Sequence, residues 1–142
     1  MMEIIPIKIP VDAEPGFVSA EFMVPDDAKF ILTLSHGAGA GMNHKFMTAL
    51  AEVLATKDIA TLRFNFPFIE NKKKRVDSPA VSHNTIAGAI KTVLEKYPGL
   101  PLFVSGKSFG GRMTSQHLSM QQYPEVKGIV FYTCGKPCIK IK

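Results

Sequence analysis

Four short apolar runs recur along the chain: FILTLS (30–35), IATLRF (59–64), LFV (102–104) and VKGIVFY (126–132). Amphipathic stretches separate them, and this alternation constrains the fold more than any other feature. Runs that are apolar at nearly every position suit strands covered on both faces. After the first run, Phe46, Met47, Leu50, Val53 and Leu54 fall on one helical face, with Asn43 as the expected N-cap. After the second, Ser82 is expected to cap a helix that buries Ile86, Ile90, Val93, Leu94 and Tyr97 and stops at Pro98-Gly99. A third helix is expected over 109–122, ended by Tyr123-Pro124. Right-handed crossovers between such units force a parallel sheet with helices on both faces. Residues 3–9 and 17–24 are β-rich, and the link VDAEPG is too short for a crossover, so these two strands should be antiparallel. The expected class is α/β: a three-layer α/β/α sandwich around a mostly parallel sheet of about six strands.

A chain of 142 residues suggests a single domain over 1–142, long enough to bury a real core. No apolar run approaches the ~20 residues that span a bilayer, and MMEIIPIKIP lacks the basic start of a signal peptide. A cytoplasmic location without membrane attachment is therefore expected. Cys134 and Cys138 offer two ligands where a closed zinc site needs four. They are read as free thiols in a reducing compartment, and no metal is expected. The formal net charge of +5 is concentrated in Lys72-Lys73-Lys74-Arg75 and in Lys136, Lys140 and Lys142. The first run could pass for a nuclear-import patch. It lies between Pro67 and Pro79 without interleaved aromatics, which favours a solvated loop over a nucleic-acid surface.

The stretch VSGKSFGGR (104–112) admits two readings. Gly106-Lys107-Ser108 resembles the end of a phosphate-binding P-loop. That motif needs a glycine at position 101, which is Pro101, and residues 102–105 belong to a strand, so no loop remains to wrap a phosphate. Gly106-Lys107-Ser108-Phe109-Gly110 is also G-x-S-x-G, the pattern of a strand–turn–helix that presents a serine nucleophile. Gly106 and Gly110 would let strand and helix approach closely around a strained Ser108. Ahead of it, His36-Gly37-Ala38-Gly39-Ala40-Gly41 follows an earlier central strand. The backbone N–H of Ala38, with Gly37, and that of Phe109 would form an oxyanion hole, each donor worth roughly 3–4 kcal/mol to a tetrahedral transition state. By itself HGAGAG could equally be a tight glycine turn.

The stretches LSHGAGAGMNHKFM, LRFNFPF and LFVSGKSFGGRMTSQ resemble a small branch of predicted hydrolases in the α/β-hydrolase superfamily. The branch is similar to dienelactone-hydrolase-like enzymes and to hydrolase-like domains of testis-expressed and chromatin-complex proteins. The likeness covers roughly residues 17–132. It implies a serine nucleophile at Ser108, hydrolysis of small ester or acyl substrates, and no cofactor. It also implies that His36 holds its loop rather than acting as the base. Substrates within the branch are largely unassigned, and some members are thought to act as scaffolds.

One departure is plain. A hydrolase triad runs serine, acid, histidine, yet only Glu125 and His117 follow Ser108, and in the wrong order. His117 lies nine residues along the same helix, about 13 Å away, and is read as a partly exposed helix residue. His44 and His83 open helices, and Asp77 is a loop acid with no visible partner. The chain thus reads as a hydrolase domain lacking its last strands and final helix, with the triad acid and histidine outside residues 1–142. If 126–132 is the last strand, its hydrophobic edge should pair with another copy as a homodimer or leave the chain poorly soluble. Segment 68–81 is long enough for a short lid. The two functions to be separated are a serine hydrolase, impaired without its base, and a non-catalytic scaffold.

Overall fold

The computed structural model describes residues 2–133 and 136–141, with side chains through Tyr132. In chain order the elements are β1 (Glu3–Pro10), β2 (Phe17–Val24), β3 (Phe30–Ser35), α1 (Lys45–Ala55), β4 (Ile59–Phe64) and α2 (Pro67–Glu70). They continue with α3 (Pro79–Lys96), β5 (Leu102–Lys107), α4 (Phe109–Met120), β6 (Val126–Thr133) and β7 (Lys136–Ile141). One seven-stranded sheet runs in the order β1-β2-β4-β3-β5-β6-β7. The strands β4, β3, β5 and β6 are mutually parallel. β1 pairs antiparallel with β2, as the short link requires, and β2 antiparallel with β4.

The order explains the layers. From β3 the chain crosses to β4 on one side, and from β4 it returns past β3 to β5 on the other. Right-handed crossovers in opposite directions put their helices on opposite faces. α1 accordingly buries Met47, Ala51 and Ala55 against Leu32, Leu34 and Met23. On the opposite face Ile86, Ile90 and Val93 of α3 and Phe109 and Met113 of α4 close over a larger core with Phe22, Phe64 and Phe66. Full burial of each such aromatic or aliphatic side chain contributes about 1.5–3 kcal/mol.

Several expectations are corrected. The strand 126–132 is not an edge, because β7 pairs with it in antiparallel register, Ile129 opposite Lys140 and Val130 opposite Ile139. The outer strands are β1 and β7, so a homodimer cannot form by simple edge pairing along 126–132. Helix α3 begins one turn before Ser82, since Ser78 accepts from the Val81 N–H and Pro79 occupies the first turn, where a missing N–H costs nothing. Ser82 is instead buried and donates to the Ser78 carbonyl at 2.9 Å. The cap of α1 is His44 rather than Asn43. Segment 68–81 is anchored rather than a free lid: Phe68 is buried in the core and its N–H donates to Asp77, while α2 covers 68–70, α3 covers 79–81, and turns and loop join them. Lys72–Arg75 form an exposed turn, as expected. Of the two thiols, Cys134 lies outside the described residues, as does the Cys138 side chain.

Candidate active site

A βαβ sheet that reverses its strand order opens a crevice beyond the carboxyl ends of its central strands. Here that point lies between β3 and β5, and the loops that follow them meet there. Ser108 occupies the single-residue turn between β5 and α4 with φ 52° and ψ −111°. A non-glycine residue at such dihedrals is strained by about 1–3 kcal/mol, held only because its surroundings leave no alternative. The surroundings are visible. The Ser108 N–H donates to the Tyr132 carbonyl at 3.1 Å, and its carbonyl accepts from the Arg112 N–H at 2.9 Å. The flanking glycines permit the turn. A Cβ on Gly106 would lie 2.5 Å from the Gly110 carbonyl carbon, and one on Gly110 would lie 2.5 Å from the His36 carbonyl oxygen. Strand β5, helix α4 and the end of β3 therefore touch backbone to backbone, which no larger residue allows. The Ser108 hydroxyl is exposed and does not cap its own helix.

The loop after β3 is held by the segment Arg63–Phe66. His36, fully buried, accepts the Phe66 N–H at Nε2 over 2.9 Å. Its Nδ1 therefore carries the proton and donates to the Gly37 carbonyl at 2.7 Å. Burial holds this imidazole down at about 4, partly offset by the Gly37 carbonyl. The Met42 N–H donates to Asn65 Oδ1 at 2.8 Å, and the Met42 carbonyl accepts from Arg63 at 2.8 Å. Arg63, itself buried, is paired with Glu21. Asn65 is oriented by Glu70, which also accepts the Ser19 N–H at 2.5 Å. Gly41 sits against this clamp, where a Cβ would meet Asn65 Oδ1 at 2.6 Å. Thus LRFNFPF and SHGAGAGM are one hydrogen-bonded unit rather than two independent motifs. Phe66, Phe68, Phe109 and His36 pack edge to face or stacked around it, with Phe66 and Phe109 centroids 5.4 Å apart.

Above this unit opens a cleft of about 410 Å³ lined by Gly37, Ala38, Gly39, Ala40, His44, Met47, Lys107 and Ser108. It brings together Ser108, Ala38 and Gly37. Phe109 lies directly behind Ser108 with its ring buried. Two lining residues, His44 and Lys107, carry no spacing signal in the sequence. The Arg63 and Asn65 clamp had one: a cation and an amide inside an otherwise apolar run.

The other candidates lie elsewhere. His117 is buried on α4, 2.6 Å from the Tyr123 hydroxyl and ring to ring with His83. It is not the partly exposed residue expected, because Tyr123 and α3 close over it. Burial, with the His83 charge second, lowers its pKa. Asp77 has a partner after all, accepting the Phe68 N–H at 3.0 Å, and burial raises its pKa. Of the four histidines only His44 lines the cleft, and its Nδ1 is occupied by the Phe46 N–H at 3.2 Å. Among the described residues no His, Cys, Asp and Glu group could hold a metal, and no helix is long and apolar enough to cross a membrane.

A strand–turn–helix serine facing a glycine loop at the crevice of a mostly parallel sheet defines a hydrolase-type scaffold. The family model described as alpha/beta hydrolase domain matches residues 28–137, and the chain belongs to that family. Solved structures agree in fold. A dienelactone hydrolase from Anabaena variabilis superposes with a TM-score of 0.78 at 17% identity, over 92% of this chain and 62% of its own. A serine hydrolase without lid from Xanthomonas campestris gives 0.73 at 19% identity, over 91% of this chain and 60% of its own. An alpha-beta serine hydrolase homologue from Coxiella burnetii gives 0.70 at 20%, over 91% and 61%. The chain spans about three fifths of the length of these proteins. No curated protein matches by sequence.

Proposed function

We propose that the cleft over Ser108 is the active centre of a serine hydrolase for small ester or acyl substrates. The observation that carries this reading is the strained, exposed Ser108 facing the Gly37–Ala40 loop across one cleft. Ser108 Oγ attacks the carbonyl carbon, and the carbonyl electron pair moves to oxygen. The N–H groups of Phe109 and Ala38, with Gly37, receive that charge. The proton passes to a base and then to the departing alcohol, and water releases the acyl group by the reverse path.

The base is not one of the four histidines in their present places. His36 has both nitrogens engaged, His83 and His117 pack together away from the cleft, and His44 Nδ1 caps α1. On this reading the base is a histidine outside residues 1–142 or on a partner molecule. The same observation favours the second reading, a non-catalytic platform that keeps Ser108 as part of a tight turn. A fluorophosphonate probe tests whether these 142 residues, alone or as an assembly, activate Ser108. Adduct mass on the chain, absent in Ser108→Ala, supports the hydrolase. No adduct at any probe concentration means that these residues hold no activating base, and leaves the platform as the reading for residues 1–142 by themselves.

A further inference from the structure

We infer that the Ser108 cleft takes acyl compounds that carry a carboxylate, recognised by Lys107 and His44. The inference deepens the hydrolase reading and rests on it for the chemistry at Ser108, but not for the recognition itself.

The argument begins with β5. Alternate residues of a strand face opposite sides. Phe103 packs against the cluster beneath α1, so Lys107, four residues on, emerges on that same side. Its Nζ lies 5.1 Å from the centroid of Phe46, the second residue of α1. The cation therefore stands beside the first turn of α1, in the cleft that Ser108 also lines. No lining residue is acidic, and no carboxylate among the described residues pairs with Lys107. A lysine over an aromatic face keeps its three donors available to an anion.

His44 adds the second group. Its Nδ1 accepts the Phe46 N–H, so in the neutral ring the proton sits on Nε2. That tautomer cannot take a proton from Ser108, but it can donate one hydrogen bond. A cation and a neutral donor on one wall select a carboxylate over an amide or alcohol. The remaining lining, Ala38, Ala40 and Met47, is apolar and suits a short alkyl chain. At about 410 Å³ the cleft lies toward the small end of ligand sites. The substrates that fit are half-esters or similar acyl derivatives of short dicarboxylic acids. The scissile carbonyl would lie at Ser108 and the free carboxylate at Lys107.

The test is a titration of the ¹⁵N-labelled chain with hexanoate and, separately, hexanamide, neither of which requires turnover. Expected are shifts at the Gly37–Ala40 and Ser108 amides, with hexanoate bound roughly five- to tenfold more tightly than the amide. Lys107→Met should abolish that preference and Lys107→Arg restore it, while His44→Gln reduces it. Equal binding of acid and amide overturns the inference. So do binding of neither, shifts confined to Lys72–Arg75, or a preference that survives Lys107→Met. Fluorophosphonate labelling reports on the hydrolase reading independently. A carboxylate preference without Ser108 labelling would remove the catalysis and leave the anion site standing.

Discussion

Acidification should cost this protein about 3 kcal/mol through His36 alone. The imidazole is fully buried, and its neutral form is wired at both nitrogens: Nε2 accepts from Phe66 and Nδ1 donates to Gly37. A second proton would bring Nε2–H against the Phe66 N–H and place a charge in the aromatic cluster. Burial is the main reason the pKa falls from 6.5 to about 4. At 1.36 kcal/mol per unit, that fall corresponds to about 3 kcal/mol, a sizeable part of a 5–15 kcal/mol total. The sign follows from proton binding. Between pH 4 and 6.5 the unfolded chain binds the extra proton and the folded chain does not, so stability rises with pH. The contribution is complete above pH 6.5 and is lost as pH falls toward 4. The assay is urea unfolding followed by far-ultraviolet circular dichroism from pH 4 to pH 8, with His36→Gln as control. Glutamine keeps an acceptor for the Phe66 N–H and does not titrate. The wild-type advantage over the variant should therefore shrink by about 3 kcal/mol on going from pH 7 to pH 4. Curves that stay parallel across this window would refute the reasoning. His117, lowered in pKa by burial, changes stability in the same direction but is present in both proteins.

Three further outcomes are expected. Gly110→Ala places a Cβ 2.5 Å from the His36 carbonyl oxygen and should cost at least about 2 kcal/mol; an unchanged urea midpoint would show that the helix can withdraw. Ser108→Gly relieves the dihedral strain and should stabilise by roughly 1 kcal/mol after the flexibility of glycine is counted; a lower melting temperature would contradict the strain. Arg63→Met frees the Met42 carbonyl and leaves Glu21 without its partner, for a loss of about 2–3 kcal/mol read from urea unfolding. In that variant the amide resonances of Gly37–Ala40 should also shift, because Arg63 and Asn65 hold the end of their loop. Unmoved resonances would mean the loop is held by His36 alone.

Much of the fold is legible because its signals are local. The four apolar runs and the two β-rich segments set six strands to within a few residues, and Pro98-Gly99 and Tyr123-Pro124 end their helices close to where expected. The misses have local causes as well. Ser78-Pro79 is a stronger helix start than Ser82, because the proline needs no hydrogen bond in the first turn. The stretch KPCIKI carries Lys136, Pro137 and Lys140, which weaken its strand signal, and β7 forms there by pairing antiparallel with the edge of β6.

What the sequence determined by itself about this protein is therefore six of the seven strands, the three long helices, the serine between strand and helix, and the glycines that let them touch. Each depends on neighbours a few residues apart. Only the tertiary structure decided that β3 stands between β4 and β5, since strand order depends on which distant edges pair and how crossovers turn. From that order came the Arg63–Met42–Asn65 clamp, the burial that holds His36 neutral, and the meeting of His44, Lys107 and Ser108 at one cleft. Met42 lies 21 residues from Arg63 and 23 from Asn65, and His44 lies on a different element from Lys107 and Ser108, so no local preference records these distances. These groups are brought together by burying the two faces of the sheet.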